Sequence, residues 1–110
     1  MSPEDIEVLA KRYMREREVS EDANRKLIDA RAALDIAERK YIEARSRLDN
    51  AVAGEKGLAA LWTVESVQTV ARLEAQLASS RSSEGTASAD AQAKKDVAEK
   101  TWRTLVELSA

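Results

Sequence analysis

A chain of 110 residues has room for one domain or one helical unit and no second core. Hydrophobic residues make up 44% and charged residues 35%, but with no Phe and only two Trp and two Tyr the apolar share rests on alanine, leucine and valine, which excludes a thick globular interior. One Pro and three Gly exclude a turn-rich all-β fold, and a net charge of −2, shared evenly between the halves, gives no electrostatic reason to expect nucleic acid or an anionic membrane as partner.

The first element opens with a helix start. Ser2 can cap, Pro3 suits the first helical position, and Glu4 and Asp5 favour the positive end of the helix dipole. Asp5 stands three residues after Ser2, a short-armed capping box. From there a seven-residue repeat predicts helix over about residues 3–53. Its a positions are Ile6, Tyr13, Ser20, Leu27, Leu34, Tyr41 and Leu48; its d positions are Leu9, Glu16, Ala23, Ala30, Ala37, Ala44 and Ala51. Twelve of the fourteen are apolar, enough to mark a helix that packs along its length against another. Large residues at a with alanine at d let two backbones approach closely, which favours an antiparallel partner over a parallel zipper with Leu at d. Acid-before-base pairs at i,i+4 support the helix: Glu7–Lys11, Glu21–Arg25, Asp22–Lys26, Asp35–Arg39 and Glu43–Arg47.

The same helix has a second apolar set off this seam. Met14, Ile28, Ala32, Ile36 and Ile42 lie away from the a/d strip, with Ile28, Ala32 and Ile42 nearly opposite it. Apolar residues on two faces predict a helix covered from two sides, one by its own chain and the other by another subunit or target, although scattered exposed aliphatics would look alike.

Gly54-Glu55-Lys56-Gly57 predicts a turn, since two glycines within one helical turn cost about 1 kcal/mol each; an uninterrupted helix to residue 80 is the alternative. A second helix is expected over about 58–78, with Leu61, Trp62, Val64, Val67, Val70, Ala71, Leu73 and Leu77 on a broad apolar face. Residues 79–89, rich in serine, read as a flexible connection. Ser88 can cap a third helix over about 90–108, placing Ala91, Lys94, Ala98, Trp102, Leu105 and Leu108 on one side, with Asp96–Lys100 and Glu99–Arg103 as surface pairs. The expected fold class is therefore all-α: a long, coiled-coil-like N-terminal helix packed against two shorter ones, as a long hairpin or a three-helix bundle.

Chemistry is hard to place on this sequence. Without histidine there is no Ser-His-Asp or Cys-His system, no His-based metal site and no Glu-x-x-His di-iron pattern; without cysteine there is no disulfide or zinc–thiolate site. No phosphate-cradling glycine motif occurs. No catalytic, cofactor-binding or metal residue is assigned, no cofactor is implied, and an enzyme is not expected. Glu16 and Ser20, the polar interruptions of the seam, fit a register-setting polar layer better than a catalytic pair. Lys11, Arg12 and Arg15, with Arg17, are the densest basic patch and the only candidates for phosphate contacts, but the interleaved Glu16 and Glu18 favour a solvated helix face. Trp62 and Trp102 can each serve as core filler or as an interface anchor, the first being the commoner role in so thin a core.

The N-terminus lacks the apolar stretch of a signal peptide, and the longest apolar run, Leu58 to Trp62, is too short to span a bilayer. These features predict a structural or assembly protein, cytoplasmic or part of an assembled particle such as a phage. Its partner is expected to be itself or another protein, with neither nucleic acid nor membrane. The other reading is a small adaptor or inhibitor that binds one target through the Ile28/Ile42 face.

Overall fold

A computed structural model describes residues 2–53 and 60–110, and their side chains apart from those of 53 and 60–63. The described residues are all-helical, in two elements: α1, Pro3–Ala53, and α2, Ala60–Ser109. α1 starts as its sequence dictates. The Asp5 N–H donates to Ser2 Oγ at 3.3 Å, and the Asp5 carboxylate accepts from the Ser2 N–H at 3.3 Å and from its hydroxyl at 3.0 Å. This reciprocal box satisfies donors that the first turn would otherwise leave open. The expected turn at 54–57 lies outside the described residues.

The helices form two compact units: Met1–Asp29 with Gly85–Ala110, and Ala30–Glu84. In the first, Tyr13 meets Trp102 and Glu16 meets Thr101, while Ala23 and Leu27 pack with Ala91 and Ala87. Numbers rise along α1 as they fall along α2, so the two segments are antiparallel. In the second unit Arg31 reaches Glu84 at 3.4 Å, and farther along Ala44 and Arg47 share a groove with Ser66 and Thr69, the same direction again. Along α1, each a and d position from Ile6 to Ala51 is buried or half-buried, joined only by Ala10 and Glu38. The contact strip is narrow: among the described residues no large side chain is fully enclosed.

α2 departs from expectation. It is one helix where a second helix, a flexible connection over 79–89 and a third helix were predicted, and Ser88 is a half-buried interior residue with no capping role. The reason lies in phase. Val70, Leu77, Ala91, Ala98 and Leu105 are buried at multiples of seven, and Glu84, half-buried, fills the missing step. Leu73, Ser80, Ala87, Thr101 and Leu108 continue a companion column, broken only by the exposed Lys94. The serine-rich stretch thus carries the seam without interruption, through small residues at Ser80 and Ala87 and through Glu84 bound to Arg31. Serine and threonine cost only some tenths of a kcal/mol each in a helix, which packing against α1 offsets.

Smaller expectations divide in the same way. The pairs Glu7–Lys11 (3.2 Å), Asp35–Arg39 (2.8 Å), Glu43–Arg47 (2.6 Å) and Glu99–Arg103 (3.9 Å) are present. Glu21 instead takes Arg17, Asp22 takes Arg25, and Asp96 accepts from Gln92. Glu21 has an arginine four residues away on either side, so its choice costs little. Of the apolar face expected on 58–78, Val70 and Leu77 are buried and Leu73 half-buried, while Val64, Val67 and Ala71 are exposed.

Gly85 tests the continuity of α2. It lies within the helix, and a β-carbon added there meets nothing within 4 Å. Gly85→Ala should raise stability by about 1 kcal/mol in urea denaturation, because alanine restricts the unfolded chain and favours helix. A neutral result would mean that 79–89 is not helical in solution.

Candidate functional site

Two places on this chain combine unusual residues with defined geometry: the polar layer around Glu16, and the outer face of α1. Glu16 occupies a d position where alanine would otherwise stand, and its side chain is 15% exposed. It accepts a hydrogen bond from Thr101 Oγ1 at 2.6 Å and from Arg12 Nε at 2.7 Å. Thr101, 6% exposed, is the one buried polar residue of the core described here. Burial pushes the Glu16 carboxyl up, but the Thr101 and Arg12 hydrogen bonds, with the charges of Arg12 and Arg15, outweigh that and hold it below the usual carboxylate range. A carboxylate so held stays ionised at neutral pH and serves as an acceptor. Directly beside it Tyr13 and Trp102 lie with ring centroids 5.2 Å apart and planes tilted by 39°. Trp102 stays 47% exposed, because the three-four spacing from Ala98 to Leu105 runs through Thr101 and leaves the indole one step outside the seam. The side chain of Trp62 lies outside the described residues.

The second place is the set Met14, Ile28, Ala32, Ile36 and Ile42. All five are exposed, Ile28 at 56% and Ile42 at 64%. The fold buries none of them in the α1–α2 seam, and Ile36 borders it, lining a groove with Gln76, Ser79 and Ser80 of α2. Ile6, Leu9, Tyr13, Leu27, Leu34, Tyr41 and Leu48 do line that seam, Leu27 buried and the others half-buried. Among the basic candidates, Lys11 is paired with Glu7 at 3.2 Å and Arg12 with Glu16, while Arg15 is exposed beside Met14, Arg17 and Glu18 along a shallow groove. The patch is thus laced with carboxylates.

A repeat runs through this outer face that the heptad reading passes over. Residues 25–31, Arg-Lys-Leu-Ile-Asp-Ala-Arg, return at 39–45 as Arg-Lys-Tyr-Ile-Glu-Ala-Arg, and 11–17, Lys-Arg-Tyr-Met-Arg-Glu-Arg, are a looser copy. The period is fourteen residues, two heptads, so Met14, Ile28 and Ile42 stand at one equivalent position. Self-comparison of the sequence at that spacing, with charge included, is the signal that would find it.

The concavities are open grooves, such as the one lined by Lys40, Glu43, Arg47, Arg72 and Gln76 in the second unit. No group of three or more acidic side chains among the described residues is arranged to hold a metal ion, and no described helix is long and apolar enough to cross a membrane. Compared with protein-family models, with curated proteins and with solved structures, the chain matches none.

The polar layer yields a prediction on two axes. Thr101→Val removes a hydrogen bond to a charged acceptor and should cost about 1.5 kcal/mol in urea denaturation. For Glu16 the folded carboxyl lies below its ordinary 4.5, so its contribution is complete above that pH and is lost as pH falls through the lower folded value. The stability gap between the native chain and Glu16→Gln should therefore be constant near neutrality and close in acid. A gap that widens on acidification would contradict the lowered carboxyl.

Proposed function

We propose that this chain is a non-enzymatic structural or assembly protein that works by helix–helix packing. In this reading it is a coiled-coil-like helix pair that associates with itself or docks into a larger complex, of which a phage particle is one example. The observation that carries the proposal is the double character of α1. Its a/d strip is taken up by α2 of the same chain, yet Met14, Ile28, Ile36 and Ile42 remain more than half exposed along the rest of the helix. Of the exposed large apolar residues of α1, Met14, Ile28 and Ile42 recur at a fixed fourteen-residue spacing, and a partner helix or surface is what such a column suits. Among the described residues, the grooves at Ala44 and Thr69 and at Lys40 and Gln76 are open to solvent.

Molar mass by light scattering across a concentration series, with circular dichroism on the same samples, tests this. Assembly predicts a stable oligomer that is highly helical at every dilution. Ile28→Glu together with Ile42→Glu should weaken association about tenfold or more while leaving helicity unchanged, since each isoleucine removed from an interface forfeits about 1.5–3 kcal/mol when fully buried. Equal loss of helicity and association would assign these side chains to the fold itself. A helical monomer would assign the Ile28/Ile42 face to a different protein, and the chain would then be an adaptor or inhibitor.

A further inference from the structure

The charge of α1 is not mixed evenly; it comes in bands seven residues long. Residues 4–10 hold Glu4, Asp5 and Glu7, net −3; residues 11–17 hold Lys11, Arg12, Arg15 and Arg17 against Glu16, net +3; residues 18–24 hold Glu18, Glu21 and Asp22, net −3. The alternation goes on at lower amplitude, +2 over 25–31, −2 over 32–38 and +2 over 39–45. Helix stability does not call for this, because interspersed i,i+4 pairs would serve as well.

Within the first unit α2 reinforces two of these bands and only partly offsets the third: beside 18–24, where Ala23 packs with Ala91, it holds Lys94, Lys95 and Asp96, net +1, which leaves that band acidic. Tyr13 against Trp102 and Glu16 against Thr101 set residues 98–104 beside residues 11–17. That stretch of α2 holds Glu99, Lys100 and Arg103, so it adds to the basic band; Glu107, farther along, adds to the acidic band at 4–10. The salt bridges Glu7–Lys11 and Arg17–Glu21 join neighbouring bands at their edges, among side chains more than half exposed.

Each band is about 10.5 Å long, close to the ~8 Å over which charge is screened at physiological ionic strength. At a distance the bands average out; a surface in contact meets them one by one. A polyanion or an anionic membrane on this face would meet acidic bands on both sides of the basic one. The surface that fits is the same pattern displaced by one band and reversed.

We propose that the outer face of α1 in the first unit docks a second copy of this chain, antiparallel, with residues 11–17 of each copy against residues 18–24 of the other. The pairing is reciprocal, so it closes on a two-fold axis near Arg17 and Glu18. It also sets the acidic band 4–10 against Arg25 and Lys26 of the second copy. This inference rests on the self-associating form of the proposed function and names its partner and register.

Sedimentation equilibrium with circular dichroism, at about 0.05 M and about 1 M sodium chloride, tests it, since that change shortens the screening length several-fold. The native chain should be a dimer at low salt, with association at least roughly tenfold weaker at high salt. Lys11→Glu with Arg15→Glu should be monomeric at low salt and equally helical; Lys11→Gln with Arg15→Gln, milder for the helix, should fall between. Adding Glu18→Lys and Asp22→Lys to the first variant exchanges the signs of two facing bands and should restore the dimer. Failure of that rescue overturns the register. Association that ignores salt and survives Lys11→Glu with Arg15→Glu overturns the banded interface while leaving an assembly protein that works through its isoleucines. A helical monomer at every salt concentration overturns both.

Discussion

Two paired helices have one interior, the strip along which they touch, and in each unit of this chain that strip is one seven-residue pattern wide. Leu27 between Ala23 and the α2 alanines Ala87 and Ala91 shows how it is built. Alanine lets the backbones come close, and a larger residue one step away fills the space that closeness leaves. Isolated helices have little stability of their own in water, so the strip is what makes α1 and α2 helical at all. Most of the surface ion pairs add tenths of a kcal/mol and decide nothing alone.

A strip this uniform specifies pairing weakly, because alanine columns can slide by a heptad with little change in contact. The Glu16–Thr101 bond corrects that. It is satisfied at one register only; displaced by seven residues, the carboxylate would face Lys94 or Leu108, and Thr101 would lose its acceptor. The Tyr13–Trp102 pair beside it carries the largest aromatic contact of the first unit. Polar and aromatic residues gathered at one level therefore work as a peg for the pairing of α1 with α2.

The legibility of the two helices differs for a physical reason. α1 can be read from sequence because apolar residues, large ones mostly at a and alanine mostly at d, recur every three and four positions for nearly fifty residues with only Glu16 and Ser20 between, and its first turn carries its own cap. α2 hides the same period behind small residues. Between Leu77 and Ala91 the columns are held by Ser80, Glu84 and Ala87, which local composition marks as a linker. Counting in sevens from Val70 to Leu105 finds the helix; judging eleven residues by their serine content does not. Trp102 stands next to Thr101, and the spacing Ala98–Thr101–Leu105 puts the threonine inside and leaves the larger indole half exposed. The exposed set on α1 was visible as residues off the seam, but its fourteen-residue order was not, because a heptad frame averages alternate repeats together.

The two helices also differ in what they turn outward. Over residues 64–89 α2 carries only Glu65, Arg72, Glu74, Arg81 and Glu84, and the last is drawn inward to Arg31. α1 carries charge at almost every second residue, ordered in sign along its length. Solubility would be served by placing charge on either helix without order. Ordering it in bands along α1, matched to the range of screened electrostatics, gives that helix a pattern that a second surface can match or fail to match. Met14 and Ile28, at the centres of two of the basic bands, are exposed apolar side chains whose burial salt does not screen. In the proposed docking the apolar residues would supply adhesion and the charge bands alignment, because only the charges distinguish one register from another.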